Sequence, residues 1–242
     1  MWLSKRVVNV TGLRDKNEAQ QVHQHAIVWD LDGTLVDSGT DIAKAANIAR
    51  QGAGLPLIPE DIAISYVGDG VVKLLERVLG HGVSSPVSEG EIQAGLARFN
   101  AHYDQHLLDQ TDLYPGIREV LAALSERPLF LATNKPRRFT MAILEGLGLV
   151  GVFQKVVAGD DVPRRKPDPA HIYACIEGTS LLPSLLTVVG DSPNDILAAR
   201  GMGARSVAVT YGLVPGARLA AEQPDVLVDN VEDLVPALDL ED

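Results

Sequence analysis

The sequence predicts an α/β fold: a doubly wound parallel sheet with an inserted α-helical cap domain. The first observation is a set of short apolar runs rich in β-branched residues, typical of strands buried on both faces; they lie at 26–29, 129–132, 155–158, 186–189 and 206–209. The second is that helical periodicity separates the later runs, as in parallel sheets. The third is a break in this alternation, because residues 41–112 contain helical patterns and no strand pattern.

The helices of the core follow in chain order. Apolar residues recur at helical spacing before each of the four later strands, over 116–124, 138–147, 169–178 and 193–202. The inserted part has its own helical patterns at 41–50, 71–79 and 89–108. These boundaries predict a core at 25–40 and 113–242, a helical cap at 41–112, and a polar, flexible N-terminal extension at 1–24.

Composition and charge exclude several classes of partner. The 242 residues include 21 basic and 32 acidic side chains, and the net charge of −11 repels nucleic acids and anionic lipid surfaces, so we expect neither as a partner. No apolar stretch approaches the ~18 residues of a membrane span, and the N-terminus lacks the apolar core of a signal peptide, which predicts a cytoplasmic protein. The single cysteine, Cys175, excludes an internal disulfide. Both a monomer and a homodimer remain open.

Polar clusters follow four of the predicted strands. They are DLDGT at 30–34, TN at 133–134, KPDP at 166–169 and GDSPND at 190–195. Ligands of open α/β sheets bind at the carboxyl ends of the strands, so we expect these clusters to converge. Each cluster alone also has a structural interpretation: Asp32 and Gly33 suit a turn, and Asp195 is placed to close a capping box with Ser192. Four such clusters in this order indicate an active site.

The clusters also resemble the motifs of a known family. The segment DLDGTLVDS at 30–38 resembles the first motif of the haloacid dehalogenase superfamily, and Thr133, Lys166 and the GDSPND segment match its second, third and fourth motifs. The insertion after the first motif resembles the helical cap called type C1. Within that group, the segments YVGDGVVKLLERVL, YPGIREVLAAL, KPDP and VGDSPNDILAA resemble most those of bacterial phosphoglycolate phosphatases.

The residues of these motifs suit phosphoryl transfer through a covalent intermediate. The carboxylate of Asp30 can attack phosphorus and form an aspartyl-phosphate, which divides one difficult displacement into two. Asp32 is placed to protonate the leaving oxygen and later to accept a proton from the attacking water. Thr133, the main-chain N–H of Asn134 and the ammonium of Lys166 are predicted to bind the transferring oxygens.

The same chemistry requires a cation, because a phosphoryl group and neighbouring carboxylates repel one another. Asp30 and Asp191 offer carboxylate oxygens, and the resemblance adds the main-chain carbonyl of Asp32 as a third ligand. These oxygen ligands suit Mg²⁺, which is the predicted cofactor. Asp195 is expected to orient metal-bound water without itself binding the metal.

The substrate is expected to meet a loop of the cap. In C1-cap relatives a loop and the start of a helix contact the leaving group, and the matching residues here are Gly68, Asp69, Gly70 and Lys73. The glycines allow close backbone approach, a helix N-terminus favours an anion, and Lys73 adds a cation. A structural interpretation stays open, in which Asp69 caps the helix and Lys73 is solvated.

The resemblance implies a phosphoric monoester hydrolase acting on a small phosphorylated metabolite, with 2-phosphoglycolate, hydrolysed to glycolate and phosphate, as the first candidate. The alternatives are a phosphatase of a sugar phosphate or pyrophosphate, a sugar phosphomutase, and a phosphonatase that uses Lys73 as a Schiff base. Outside enzymes, a phospho-accepting signalling module also combines an aspartate, Mg²⁺, threonine and lysine on a doubly wound sheet. Asp32 and the large cap oppose that last interpretation.

Overall fold

The computed structural model of the protein describes residues 25–239, so the predicted extension at 1–24 lies outside the described residues. Within these residues the chain forms eight strands. In chain order they are β1 (Ala26–Trp29), β2 (Val36–Asp37), β3 (Asp112–Leu113), β4 (Leu129–Ala132), β5 (Lys155–Val157), β6 (Leu186–Gly190), β7 (Arg205–Val209) and β8 (Val226–Val228).

The helices alternate with these strands, apart from one group that follows β2. They are α1 (Gly39–Gln51), α2 (Glu60–Ile64), α3 (Val71–Gly80), α4 (Glu89–His106), α5 (Ile117–Ala123), α6 (Arg137–Gly146), α7 (Ala170–Ile176), α8 (Pro193–Met202), α9 (Gly216–Ala221) and α10 (Leu234–Leu238). Within the described residues, α1 to α4 form the predicted helical insert between β1 and the next strand of the main sheet.

The main sheet is parallel and has the order β5-β4-β1-β6-β7-β8. Its centre is β1, in which Trp29 is in register with Leu131 of β4 and with Val189 of β6. This arrangement confirms the predicted α/β fold. The strand β8 was missed by the sequence analysis, because its three residues lie between charged neighbours and form too short an apolar run to be distinguished from a loop.

Both faces of the sheet are covered by helices. Alternate residues of β1 enter opposite layers, since Ala26 and Val28 belong to the apolar cluster that includes α7 and α8, whereas Ile27 and Trp29 belong to the cluster that includes α5 and α6. All four β1 side chains are buried. A strand buried on both faces must be apolar throughout, which is why the run of Ala26–Trp29 was recognisable in the sequence.

The cap is held together by a buried arginine and joined to the core by a short ribbon. Arg50 of α1 is buried and donates to the carbonyls of Val78, Leu79 and His81 at the end of α3. Carbonyls at the end of a helix are short of intrahelical donors, so the guanidinium adds hydrogen bonds there and ties α1 to α3. The two-residue strands β2 and β3 pair antiparallel where the chain leaves and re-enters the core.

No helix between residues 25 and 239 has the length and hydropathy of a membrane span.

Candidate active site

The carboxyl ends of β1, β4 and β6 meet at one cavity under the cap. The core contributes the side chains of Asp30, Asp32, Thr133, Lys166 and Asp191 to the cavity wall, and the cap contributes Gly68 and Gly70 among others. Four clusters separated in sequence therefore converge, as expected for strands that end at the same edge of a parallel sheet.

A buried lysine is at the centre of this cavity wall. Lys166 donates to Asp30 Oδ1 and to Asp195 Oδ1, both at 2.7 Å, and to the carbonyl of Ala132 at 2.6 Å. All three ammonium protons are thus used. Burial opposes the charge of Lys166, but the carboxylates of Asp195 and Asp30 outweigh it and raise the pKa of the ammonium, so Lys166 stays charged.

The pKa and the hydrogen bonding of Asp30, the predicted nucleophile, are set by burial and by the charged residues beside it. Burial raises the pKa of Asp30 to about 7, against the opposing effect of Lys166 and with a further rise from Asp195. Within residues 25–239, no hydrogen bond occupies Asp30 Oδ2. One oxygen is therefore held by the lysine and keeps a second lone pair for a metal ion, while the other oxygen stays free for attack.

Three carboxylates at this edge have the geometry of a cation site. Asp30, Asp191 and Asp195 are buried, and one oxygen from each lies within 4.8 Å of the other two. Burial raises the pKa of Asp191 well above its ordinary value, and the charges of Asp30 and Asp195 raise it further. Such a cluster is stable as carboxylates only when a cation compensates it, and an all-oxygen donor set suits a hard cation such as Mg²⁺.

The hydrogen bonds divide these carboxylates into two kinds. Asp195 uses Oδ1 for Lys166 and Oδ2 for the N–H and hydroxyl of Ser192, so both of its oxygens are engaged. Asp191 accepts from the N–H of Leu213 through Oδ2 alone. Free oxygens on Asp30 and Asp191 fit the predicted metal ligands, and the engaged carboxylate of Asp195 fits its predicted role as a residue that orients the site. The capping box of Asp195 with Ser192 is also present, so the two interpretations of Asp195 coexist.

Asp32 is held by residues that the sequence analysis did not select. Asp32 Oδ1 accepts from Ser38 Oγ at 2.6 Å and from Lys135 Nζ at 2.8 Å. Lys135 also donates to the hydroxyl of Tyr103, a residue of the cap helix α4, at 2.9 Å. Burial opposes the charge of Lys135, but Asp32 outweighs it and raises the pKa of the ammonium. The position of Lys135 directly after Thr133 and Asn134 was the available sequence signal.

The predicted cap loop lies on the core, but its members have different positions. Gly68 and Gly70 line the cavity, and the carbonyl of Gly68 accepts from Asn134 Nδ2 at 2.9 Å. Asp69 accepts from Asn194 Nδ2 at 2.7 Å and therefore ties the loop to α8. Lys73 is exposed, pairs with Glu76 at 2.6 Å and is not among the residues of the cavity wall. The structure thus brings the loop to the site without Lys73.

Thr133 and Asn134 hold the site together as well as lining it. Thr133 Oγ1 accepts from the N–H of Lys135 at 3.2 Å. The side chain of Asn134 donates to the carbonyl of Lys166 at 3.0 Å in addition to Gly68. Sequence reasoning predicted a role for the Asn134 main chain only; its amide side chain is an additional connection between two motifs and the cap.

A buried histidine, also missed by the sequence analysis, positions Lys166. His171 Nδ1 accepts from the N–H of Lys166 at 3.1 Å, and Nε2 lies 3.2 Å from the carbonyl of Val157, to which it donates. Burial, together with the charge of Lys166, lowers the pKa of His171 to about 4, so the ring is neutral near pH 7. A neutral ring can accept and donate at the same time, as this position requires.

Comparison with known proteins agrees with this geometry. The parallel α/β sheet, the helical insert and the buried carboxylates at the strand ends are those of a hydrolase with an aspartate-based site under a helical cap. The chain belongs to the haloacid dehalogenase-like hydrolases, whose family model matches residues 27–209.

Three individual proteins show how similar the chain is to known sequences and structures. The chain is 37% identical over 214 residues to a phosphoglycolate phosphatase of Chromobacterium violaceum, covering 88% of this chain and 95% of that protein. It is 36% identical over 232 residues to a phosphoglycolate phosphatase of Escherichia coli K12, covering 88% and 92%. A crystal structure of a predicted phosphoglycolate phosphatase from Haemophilus somnus 129PT superposes with a TM-score of 0.84 at 31% identity, covering 90% of this chain and 99% of that one.

Replacing Gly33 by alanine is expected to displace Asp191. Gly33 has φ +82°, and a Cβ at this position would lie 2.0 Å from Asp191 Oδ2. The clash moves a carboxylate of the cation site, and displacements of about 1 Å in active sites cost about 100-fold in rate. We expect Gly33→Ala to lose about 100-fold or more of the Mg²⁺-dependent hydrolysis of p-nitrophenyl phosphate.

The matched control is Gly82→Ala. Gly82 has φ +70°, but a Cβ there meets nothing within 4 Å. Both variants are expected to lose about 1 kcal/mol of unfolding free energy from backbone strain, measured by urea denaturation. If Gly33→Ala retained the activity of the control, the placement of Asp191 would not govern turnover.

His171 is expected to make the protein less stable in acid. Its folded-state pKa lies below the unfolded value of about 6.5, so its contribution is complete above that pH and is lost as the pH falls toward about 4. Between pH 7 and pH 5 this loss amounts to about 2 kcal/mol. We expect His171→Asn to lack that part of the pH dependence of the unfolding free energy, measured by urea denaturation at both values. Because each protein is compared with itself, lost packing cancels; an equal loss in both proteins would exclude His171 as the titrating group.

Proposed function

We propose that this protein is a Mg²⁺-dependent phosphatase that transfers a phosphoryl group from a small phosphate monoester to Asp30 and then to water. The observation that supports this most directly is the network in which Lys166 holds one oxygen of Asp30 while the other stays free. A carboxylate fixed in this way presents a single nucleophilic oxygen to the cavity.

In the first half of the proposed reaction, Asp30 attacks phosphorus and the alkoxide leaves. Lys166, with Thr133 beside it in the cavity wall, is placed to offset the charge of the transferring oxygens. Asp30 and Asp191 would hold Mg²⁺, which would supply further charge compensation for the phosphoryl group. Asp32 lies on the cavity and donates a proton to the leaving oxygen.

In the second half, water hydrolyses the aspartyl-phosphate. Asp32 has given up its proton in the first half and can now accept one from the attacking water. No hydrogen bond within the described residues occupies Asp32 Oδ2, because Ser38 and Lys135 both donate to Oδ1. One oxygen of Asp32 is therefore held and the other is available for proton transfer in both halves.

The proposed substrate is 2-phosphoglycolate. The relatives from C. violaceum and E. coli are phosphoglycolate phosphatases and align over 88% of this chain, the cap included. The cap closes the cavity with apolar side chains such as Val67, Val71 and Leu74, which suits a small substrate rather than a polyhydroxylated sugar.

Two of the alternatives lose support. A phosphonatase would need a lysine of the cap in the cavity, but Lys73 is exposed and paired with Glu76. A signalling module would have to keep its phosphoryl group, whereas Asp32 is held beside the acceptor Asp30 in the cavity of a member of a hydrolase family.

Replacing Asp30 by asparagine tests the covalent mechanism. Asparagine has the same shape but no nucleophilic charge, so we expect Asp30→Asn to lose at least ~1,000-fold of phosphate release from p-nitrophenyl phosphate and to form no phosphoenzyme detectable by mass spectrometry after acid quenching. Its thermal stability should not fall, because the raised pKa of Asp30 shows that the folded protein disfavours this charge, and Lys166 keeps its pair with Asp195. The control Asp160→Asn alters an exposed residue outside the cavity wall. Undiminished turnover by Asp30→Asn would exclude the mechanism.

A comparison of substrates tests the assignment of 2-phosphoglycolate. We expect kcat/KM for 2-phosphoglycolate to exceed that for sugar phosphates, nucleotides, pyrophosphate and phosphonoacetaldehyde by ~100-fold, which corresponds to ~3 kcal/mol of differential transition-state binding. Removal of Mg²⁺ with EDTA should abolish turnover of every substrate. A different preferred phosphate ester would retain the mechanism and reject the substrate.

A further inference from the structure

Two hydrogen-bond donors in the cavity have no acceptor. Lys135 Nζ has three protons and uses two, for Asp32 Oδ1 at 2.8 Å and for the hydroxyl of Tyr103 at 2.9 Å. Because the Tyr103 oxygen accepts from the lysine, its own proton remains to be donated. Within residues 25–239, neither the third proton of Lys135 nor the proton of Tyr103 has a hydrogen-bond acceptor.

These donors belong to the cavity and are fixed in position. Both residues line it, and the side chain of Lys135 and the ring of Tyr103 are almost wholly buried. The Tyr103 ring packs edge-on against Phe139 with centroids 4.9 Å apart, and Lys135 Nζ lies 4.9 Å from the centroid of the Tyr103 ring. Burial raises the pKa of Tyr103 to about 12, so the hydroxyl keeps its proton.

The apolar side chains of the cavity wall make these donors selective for an anionic group. The cavity is also lined by Ile42, Phe99 and Phe139, which offer no polar side-chain atom to a ligand, and the two phenylalanines pack against the Tyr103 ring. A cation in such a wall interacts more strongly with an anion than it would in water. The other lysine of the cavity wall, Lys166, has already used all of its protons.

The position of Lys135 and Tyr103 relative to the reacting groups indicates which part of the substrate they would contact. In the proposed mechanism Asp32 Oδ2 protonates the leaving oxygen, and Lys135 contacts the other oxygen of the same carboxylate, Oδ1, at 2.8 Å. A group attached one or two bonds beyond the leaving oxygen would therefore be within reach of Lys135 and Tyr103, which line the same cavity. The phosphoryl group lies at the other end, against Asp30 and Lys166.

We propose that Lys135 and Tyr103 form a recognition site for a carboxylate on the leaving group, and so determine that the enzyme prefers phosphate monoesters with a carboxylate close to the ester oxygen. This inference rests on the proposed phosphatase function and adds to it the residues that select the substrate. Lys135 donates its third proton to one carboxylate oxygen and Tyr103 donates its hydroxyl proton to the other. Lys135 belongs to the core and Tyr103 to the cap, so both parts of the protein bind the carboxylate.

The test compares two substrates that differ only in this group. Ethyl phosphate has the two carbons of 2-phosphoglycolate with a methyl in place of the carboxylate. We expect Lys135→Met to lower kcat/KM for 2-phosphoglycolate ~100-fold more than for ethyl phosphate, and Tyr103→Phe to lower it ~10-fold more. Tyr103→Phe keeps the ring and the Lys135–Asp32 pair, so it preserves the test if Lys135→Met does not fold. The matched controls are Lys155→Met and Tyr173→Phe, both outside the cavity wall.

The competing role for Lys135 is to position Asp32 and nothing more. In that case both substrates lose the same factor in Lys135→Met, and Tyr103→Phe shows no preference between them. Such a result would overturn the recognition site while wild-type turnover of p-nitrophenyl phosphate upheld the proposed function.

Failure of the proposed function gives a different result. If the wild-type protein hydrolysed no phosphate monoester, the recognition site would be judged by the binding of glycolate alone, measured by calorimetry. Glycolate binding that weakens ~10-fold or more in Tyr103→Phe or Lys135→Met would support the site. Absent binding in the wild-type protein, or equal binding in all three, would overturn it.

Discussion

The buried ammonium of Lys166 is the interaction on which the rest of the site depends. Three carboxylates lie close together at the carboxyl edge of the sheet, and their mutual repulsion would be prohibitive without compensating charge. Lys166 contacts two of them, and its third proton binds the carbonyl of Ala132 at the end of β4. Lys166 therefore compensates the charge of the carboxylates and also binds the end of a central strand. His171 accepts from the main-chain N–H of Lys166 and Asn134 donates to its carbonyl, so these two residues fix the backbone of Lys166.

The cap is connected to the chemistry through polar side chains rather than through apolar packing alone. Asn134 and Asn194 of the core hold Gly68 and Asp69 of the cap loop, and Lys135 joins the cap residue Tyr103 to Asp32. Opening of the cap would break the contacts that Gly68, Asp69 and Tyr103 make with the core and leave Lys135 on Asp32. Closure of the cap therefore adds Tyr103 to the Lys135–Asp32 pair, at a site that must exclude bulk water.

Much of the fold and part of the site could be predicted from the sequence. The five strands selected by apolar content all exist, and the absence of a strand pattern correctly indicated a helical insert, because a strand buried on both faces must be apolar along its whole length. The strand β8 was missed because charged residues stand on both sides of its three apolar residues, a pattern that a loop also shows. The loop of Gly68 and Gly70 lies at the cavity, whereas Lys73 lies on the exposed face of α3, where it pairs with Glu76 one helical turn away.

The sequence by itself determined which chemical groups stand at the strand ends, because the short motifs containing Asp30, Asp32 and Asp191 are local in the chain. Only the tertiary structure decided which of these groups meet and which oxygens remain free. Lys135 and Asp32 are 103 positions apart, and Lys166 and Asp30 are 136 apart. Contacts over such separations depend on strand order and on how the cap is seated, and no local pattern records either. The roles of Lys135, Tyr103 and His171 therefore emerged only when the folded chain brought them to the cavity and to Lys166.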